Sequence, residues 1–350
     1  MGDSSPALRD PVTPACDNRT MPLGAAPLDD VADRLAAILA GPSAVVTDTE
    51  DGELVIDGDL VPRPLTPAPT APCETWAVDG GQALVRDARC LQVYVVRAGR
   101  CCFVDRVATV EEEGELRAHL VGVGQRAMEL ARLDGGLALP ANTAIDVNLL
   151  RERVEWDGIE RTIHEACEGA LVLVDGDLRP DPRIPVPWVT DLLADATARG
   201  VTVVGVTKHT SLARGGAPLI GQLEAEADAA LGGRTRWWAR IGHSPAATGV
   251  PFTVVAARLD PDAAYSFRLD VAAGVDPEHA IAQVATVADD AAFPGYPYPL
   301  TVADRLAACP PWLREEAWMT LEERLHVAGI PADVLHRAFT DRHRMMERAS

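Results

Sequence analysis

Apolar residues recur along this chain with two different periods, and the periods predict its elements. LDDVADRLAAILAG (28–41) sets Leu28, Val31, Leu35, Ile38 and Leu39 at helical spacing, with Gly41 as a stop. The stretch 43–73 is acidic and then Pro-rich (VPRPLTPAPTAP), as in a hairpin or loop followed by a linker, so the organised core is expected to start near Thr75. TWAVDG, LQVYVV and CCFVDRVATV follow as short β-rich runs separated by Gly and polar turns, a meander. VGVGQRAMELARL (121–133) and DVNLLRERVEWDGIERTIHEAC (146–167) have a 3.6-residue period and read as helices. ALVLVDGD (170–177) is a buried strand ending in acids. The alternation then repeats: PWVTDLLADATARG is a helix, VTVVGVTK a buried strand, LIGQLEAEADAAL a helix, TVVAARL and YSFRLDV a strand pair, and helices close the chain beyond Pro299. Strands in meander order followed by strand–helix alternation predict an α/β fold, a mixed sheet flanked by helices on both faces, with C-terminal helices.

Composition narrows the class. In 350 residues, 47% are hydrophobic and 24% charged, enough apolar surface for a sizeable core. Residues 1–27 mix Pro, Gly, Ser and Asp without periodicity and read as a flexible N-terminal arm. The chain opens MGDSSPALRD, without the basic-then-apolar run of a secretory signal, and holds no stretch of about 18 uncharged apolar residues. A cytoplasmic protein with no membrane contact is expected. Seven cysteines, an odd number with no C-x-x-C spacing, argue for reduced, mostly buried thiols rather than a zinc or redox centre.

The formal charge is −20, which excludes a protein that coats nucleic acid by charge alone. Only residues 201–250 are net positive, and that window holds Lys208, the single lysine beside 31 arginines. No G-x-x-x-x-G-K-[ST] loop, strand-following G-x-G-x-x-G or G-x-S-x-G elbow occurs, which disfavours an ATPase, a dinucleotide oxidoreductase and an α/β-hydrolase.

Two apolar strands are each expected to stop at Asp-Gly: TWAVDGG at Asp79 and LVLVDGD at Asp175. Either alone suits an Asp that bonds its own backbone in a turn. Two in one α/β domain point to a metal site, because neighbouring carboxylates repel unless a cation neutralises them. A third acid is available from the long helix, whose apolar stripe runs through Leu149, Trp156, Ile159, Ile163 and Ala166. At about 100° per residue, Glu155 falls about 40° from Ile159 and Glu152 about 20° on the other side, so either can look inward or form a charged rim. Farther on, RTRWWAR interleaves Arg234, Arg236 and Arg240 with Trp237 and Trp238, a combination that either stacks bases along a single strand or packs one Trp in the core.

DGG after a strand, the helical R-x-x-x-E of Arg151 and Glu155, LVLVDGDL, VTVVGVTK and the late GYPYPLTVAD, in that order, resemble the NurA family of DNA-end-processing nucleases over roughly 75–308. The resemblance implies an RNase H-like nuclease domain at 75–308, with a helix and acidic/Pro-rich linker at 28–74 before it and a helical extension at 309–350 after it. It implies metal-dependent hydrolysis of DNA, preferring Mn²⁺ (or Mg²⁺), with single-strand endonuclease and 5′-to-3′ exonuclease activity in end processing and repair. It also implies a homodimer that works on single strands or resected ends with a HerA-type hexameric ATPase. Carried over by motif, the catalytic and metal-binding acids fall on Asp79, Glu155 (Glu152 as second choice) and Asp175, and the late tyrosine on Tyr296. Asp304 stands where the family usually has a histidine. An acid still ligates a hard cation through oxygen, but it cannot act as a neutral imidazole. Lys208, ending its strand, is placed to contact a phosphate, and Arg234, Arg236 and Trp237 to hold the strand.

Two other readings stay open. DGD (Asp175, Asp177) also suits a D-x-D glycosyltransferase or an Asp-nucleophile phosphatase, and the Asp304 substitution suits a catalytically weakened NurA-like scaffold.

Overall fold

A computed structural model describes residues 28–40, 45–47, 54–122, 143 and 145–340. The elements are α1 (Leu28–Ala40), β1 (Val46–Thr47), β2 (Arg63–Pro64), β3 (Thr75–Asp87), β4 (Leu91–Val104), β5 (Val107–Glu113), β6 (Arg117–Gly122), α2 (Val147–Glu165), β7 (Leu171–Asp175), α3 (Val186–Ala198) and β8 (Thr202–Thr207). They continue with β9 (Ala213–Arg214), β10 (Ala217–Pro218), α4 (Leu219–Leu231), β11 (Trp237–Ser244), β12 (Phe252–Arg258), β13 (Phe267–Ala272), α5 (Pro277–Val284), α6 (Tyr298–Ala307), α7 (Pro311–Val327) and α8 (Ala332–Phe339).

Ten strands form one sheet in the order β2-β11-β12-β13-β8-β7-β3-β4-β5, with β6 also on β4. β3, β7 and β8 are mutually parallel, and their neighbours on either side are antiparallel. An antiparallel meander followed by two parallel strands, in the order β5-β4-β3-β7-β8, is the RNase H-like arrangement. The expected α/β class holds, with helices on both faces.

Strand alternation sorts the core into two layers. Trp76, Val78, Val172, Val174 and Val203 face one way and pack with Leu149, Leu150, Ile159 and Ile163 of α2, Val189 and Leu193 of α3 and Leu219 and Leu223 of α4. Ala77, Leu171, Leu173, Val204 and Val206 face the other way and pack with Ala280, Ile281 and Val284 of α5 and Leu300, Ala303 and Leu306 of α6. Because β7 and β8 are covered on both faces, they read as unbroken apolar runs.

Several expectations are corrected. β3 does not stop at Asp79: Gly80 and Gly81 continue the ladder opposite Ala98 and Arg97, and the strand ends only at Asp87. Gly99 is likewise no turn but lies mid-strand in β4 opposite Asp79. The hairpin turns instead at Asp105 and Arg106, both at positive φ (47° and 66°), as a two-residue turn with the twist of the strands demands.

These glycines serve close approach. A Cβ at Gly81 would overlap the Ala307 carbonyl, and one at Gly99 the Ala303 carbonyl and Ala307 amide, so α6 lies backbone to backbone on the sheet. The helix begins there because Pro299 sits in its first turn, where no amide hydrogen bond is lost.

The 43–73 stretch is more than a linker, since Leu60, Gly58 and Val55 donate backbone hydrogen bonds to β11, Leu65 donates to Arg236 just before it, and β2 pairs with it. The expected helix 121–133 overlaps the end of β6 and otherwise lies, like the 1–27 arm, outside the described residues. The apolar stripe of α1 is exposed at Val31, Leu35, Ile38 and Leu39, so that periodicity marks a helix without a core behind it. Of the described cysteines only Cys101 and Cys102 are buried; Cys73 and Cys167 are exposed and touch, sulfur to sulfur, at 2.6 Å.

Gly99→Ala is expected to lower stability by about 1–3 kcal/mol, because the clash is with helix backbone that cannot rotate away. Gly221→Ala in α4, where nothing lies within 4 Å, is expected to raise it by about 0.5–1 kcal/mol. Urea unfolding of the two variants measures both signs.

Candidate metal centre

Three carboxylates converge on the face that carries α6. Asp79 projects from β3 on the same side as Ala77, Asp175 ends β7 on the side of Leu171 and Leu173, and Asp304 comes down from α6. Each offers an oxygen, and the three oxygens lie within 4.8 Å of one another. The parallel pairing of β3 with β7 fixes the first two side by side, and the bare glycine backbone beneath α6 brings the third within reach.

The cluster is electrostatically uncomfortable. Asp79 is 6% exposed, and burial, then the charges of Asp175 and Asp304, push its pKa up to about 7. The Gly80 amide, donating to Asp79 Oδ1 at 2.7 Å, and the Lys208 ammonium pull it partly back. Lys208 Nζ lies 2.6 Å from Asp175 Oδ2 and 5.1 Å from the centre of the Tyr296 ring. Tyr296 brings a hydroxyl that is buried beside the acids without a partner of good hydrogen-bond geometry. Burial and then the charges of Asp175, Asp79 and Asp304 hold that phenol protonated.

Glu155 approaches from the opposite face. It is 4% exposed, and Arg151 Nη1 donates to its Oε2 at 2.7 Å. It looks through the gap left by Gly80, where a Cβ would sit 2.8 Å from Glu155 Oε2. Burial drives its pKa well above the carboxylate range, Arg151 opposes this, and Asp79 adds to it. Glu155 and Asp175 line a common cavity of about 230 Å³ with Arg151 and Arg179.

Glu152 does different work. Its Oε1 accepts the Asp181 amide at 2.6 Å and tethers the loop after β7. Between the two helix acids, the geometry therefore puts Glu155 beside the cluster and leaves Glu152 as an anchor. Asp177 also turns away: its carboxylate accepts the Arg179 amide and lies 4.0 Å from Arg268, so no D-x-D pair forms with Asp175.

The RTRWWAR segment is not part of this centre. Trp237 is 1% exposed and packs in the core against the layer that includes Ala239 and Ile241. It has no free ring face, which corrects its expected role in base stacking. Arg234 pairs with Asp262, and Arg236 with Asp260 and the Leu259 carbonyl, beyond the start of β11.

Sequence reasoning missed two features. Arg268 and Asp270, both fully buried on β13, form an ion pair of 2.9 Å, and Asp270 accepts the Leu178 amide, fixing the turn that follows Asp175. Their signal was a pair of opposite charges two apart in an otherwise apolar strand. The other is Phe293, which stands just before the GYPYP segment.

Oxygen donors alone suit hard cations such as Mn²⁺ or Mg²⁺. The three converging carboxylate oxygens, one of them on an acid whose pKa is raised by burial and by the other two, fit such an ion. Among the described residues no other group of three or more His, Cys, Asp or Glu converges in this way, and no helix is long and apolar enough to cross a membrane.

Neither protein-family models nor curated proteins match this chain. Among solved structures it is similar to the NurA nuclease from Sulfolobus solfataricus, with a TM-score of 0.53 and 15% identity over 86% of this chain and 95% of that one. A second NurA structure aligns with a TM-score of 0.44 and 10% identity over 85% and 95% of the two chains. Human ENDOV aligns with a TM-score of 0.37 and 15% identity over 70% and 86%. The first of these gives the chain a NurA-like fold.

With its pKa raised to about 7, Asp79 in the folded, metal-free chain keeps a proton that the unfolded chain releases from about pH 4 upward. Its contribution to stability therefore falls as pH rises from about 4 to 7. Asp79→Asn is expected to raise the metal-free Tm at pH 8 by about 3 °C or more and to change it little at pH 4. Thermal melts in EDTA at the two pH values test the sign.

Proposed function

We propose that this chain is a divalent-metal-dependent nuclease that hydrolyses DNA phosphodiesters. One observation carries the reading: acids from β3, β7 and α6, distant in sequence, converge to within 4.8 Å on a NurA-like fold. The structure that supplies that likeness is itself described as a nuclease.

Asp79, Asp175 and Asp304 would hold Mn²⁺ or Mg²⁺, and Glu155 extends the set from the α2 side. Such an ion supplies a water of lowered pKa and neutralises charge on the phosphate and the leaving oxygen. Asp79 must lose its proton as the ion binds, so affinity rises with pH through the neutral range.

Lys208 provides a point charge for a phosphate oxygen, held in position by Asp175 and the Tyr296 ring. The Tyr296 hydroxyl remains a donor throughout, because its pKa is pushed up, and beside Asp175 it is placed to bond a phosphate oxygen brought to the acids. Arg151 offsets part of the charge on Glu155 and keeps that acid directed at the gap beside Gly80. Asp304 gives an anionic oxygen in place of an imidazole, which favours a hard cation over zinc and removes a general acid or base working near neutral pH.

On this reading the protein trims single strands or resected ends by single-strand endonuclease and 5′-to-3′ exonuclease action in cytoplasmic DNA repair, as a homodimer with a HerA-type hexameric ATPase. The ordered DGG, R-x-x-x-E, LVLVDGDL and GYPYPLTVAD motifs support it.

Purified protein with Mn²⁺ is expected to degrade end-labelled single-stranded and resected duplex DNA. Asp175→Ala is expected to reduce the rate at least about a hundredfold, and Lys208→Ala to raise KM about tenfold. Calorimetry should show Mn²⁺ binding that Asp79→Ala abolishes. Wild-type protein that is inert with both Mn²⁺ and Mg²⁺, with and without a HerA-type motor, would sink the proposal.

A further inference from the structure

Next to the acid cluster, Lys208, Phe267, Phe293, Tyr296, Thr301 and Asp304 line a cavity of about 320 Å³. Half of that lining is aromatic in a chain where Phe, Trp and Tyr make up 5%, so the concentration is local. The recess is continuous with the cluster through Asp304 and carries the one lysine of the chain.

Phe267 and Tyr296 pack on each other, with ring centroids 5.6 Å apart. Phe293 stays 58% exposed. A loose loop does not explain this, because its backbone is tied on every side. The Phe293 amide donates to Asp290 and its carbonyl accepts from Tyr296, both at 3.1 Å, while Gly295 donates to Ala288 at 2.8 Å. Gly295 holds a φ of +89° against Ala263, a conformation and a space that exclude a side chain. An apolar ring is thus held in water by a rigid turn, at a free-energy cost that a stacked ligand removes.

We propose that this recess is a nucleobase subsite, in which Phe293 stacks on an unpaired base whose neighbouring phosphate lies at Lys208 and the acid cluster. The inference rests on the nuclease reading and adds to it the side chain that would hold a base beside the scissile phosphate, one that a base within a duplex stack cannot reach. A volume at the small end of the usual range for ligand pockets, about 300–1,000 Å³, admits one base rather than a base pair. Stacking on a π-face tolerates any base, so the subsite selects strandedness and not sequence.

The test is equilibrium binding, by fluorescence anisotropy in Ca²⁺, of labelled oligothymidylate and of an equally long abasic strand to the full chain. Wild-type protein is expected to bind oligothymidylate about tenfold tighter than the abasic strand. Phe293→Ala should bring the two affinities together with an unchanged melting temperature, and Phe293→Trp should restore the difference. A Phe293→Ala protein that keeps the full preference, or a wild type that shows none, overturns the subsite. Loss of Mn²⁺-dependent cleavage alone overturns the nuclease reading and leaves the base preference standing, while failure to bind either strand overturns both.

Discussion

Three carboxylates that repel one another are held together by a helix laid directly on glycine backbone, and the rest of the centre follows from that conflict. Without Gly81 and Gly99, side chains would lift α6 from the sheet and carry Asp304 away from Asp79 and Asp175. With them, Asp79 is buried and set beside two other acids, and burial first, then their charges, take away its ordinary acidity. A fold optimised for stability alone would place an apolar residue at one of the three positions. Keeping all three acids stores an electrostatic penalty that a bound cation would relieve, the usual exchange of stability for function.

The sheet explains why the acids come from where they do. β3 and β7 run parallel as neighbours, so residues on one face at corresponding registers end up side by side, Asp79 one step beyond the Val78–Val174 pair and Asp175 beside it. Parallel strands need crossovers, and the helix α2 that bridges β3's meander to β7 packs on the other face. Glu155 therefore reaches the centre from behind, through the space that Gly80 leaves open. One strand, read residue by residue, serves both faces: Asp79 for the α6 side, Gly80 for α2, Gly81 for α6 again.

Apolar periodicity made much of this legible. LVLVDGD and VTVVGVTK stand out as buried strands because both faces are covered, and DVNLLRERVEWDGIERTIHEAC as a helix because Asp146 caps it, accepting the Leu149 amide, before the stripe begins. The acids at Asp79 and Asp175 were visible as polar endings of apolar runs. What misled was glycine. Gly80, Gly81 and Gly99 read locally as punctuation, yet all three are extended residues whose missing side chains answer to helices far away in sequence, a tertiary demand that no window of neighbours contains. Trp237 misled for the related reason that interleaved Arg and Trp look the same whether the ring faces water or the core. Phe293 carries no such signal because an aromatic in an irregular Ala-, Pro- and Gly-rich loop has no period to say whether its ring is buried.

On the proposed nuclease reading, a chain of net charge −20 faces a particular difficulty with a polyanion. It cannot gather affinity from many released counterions, since its cations are largely consumed by its own acids, as Arg234, Arg236 and Arg183 illustrate. Attraction has to be concentrated at one place and to come from terms that a negative surface does not cancel: an ion among Asp79, Asp175 and Asp304, the single ammonium of Lys208, and apolar stacking. Stacking is insensitive to the sign of the surrounding charge, and it works only on a base already out of its duplex. On the proposed reading, the charge balance leaves stacking as a term that the acidic surface does not cancel, and the aromatic recess is where the structure offers it.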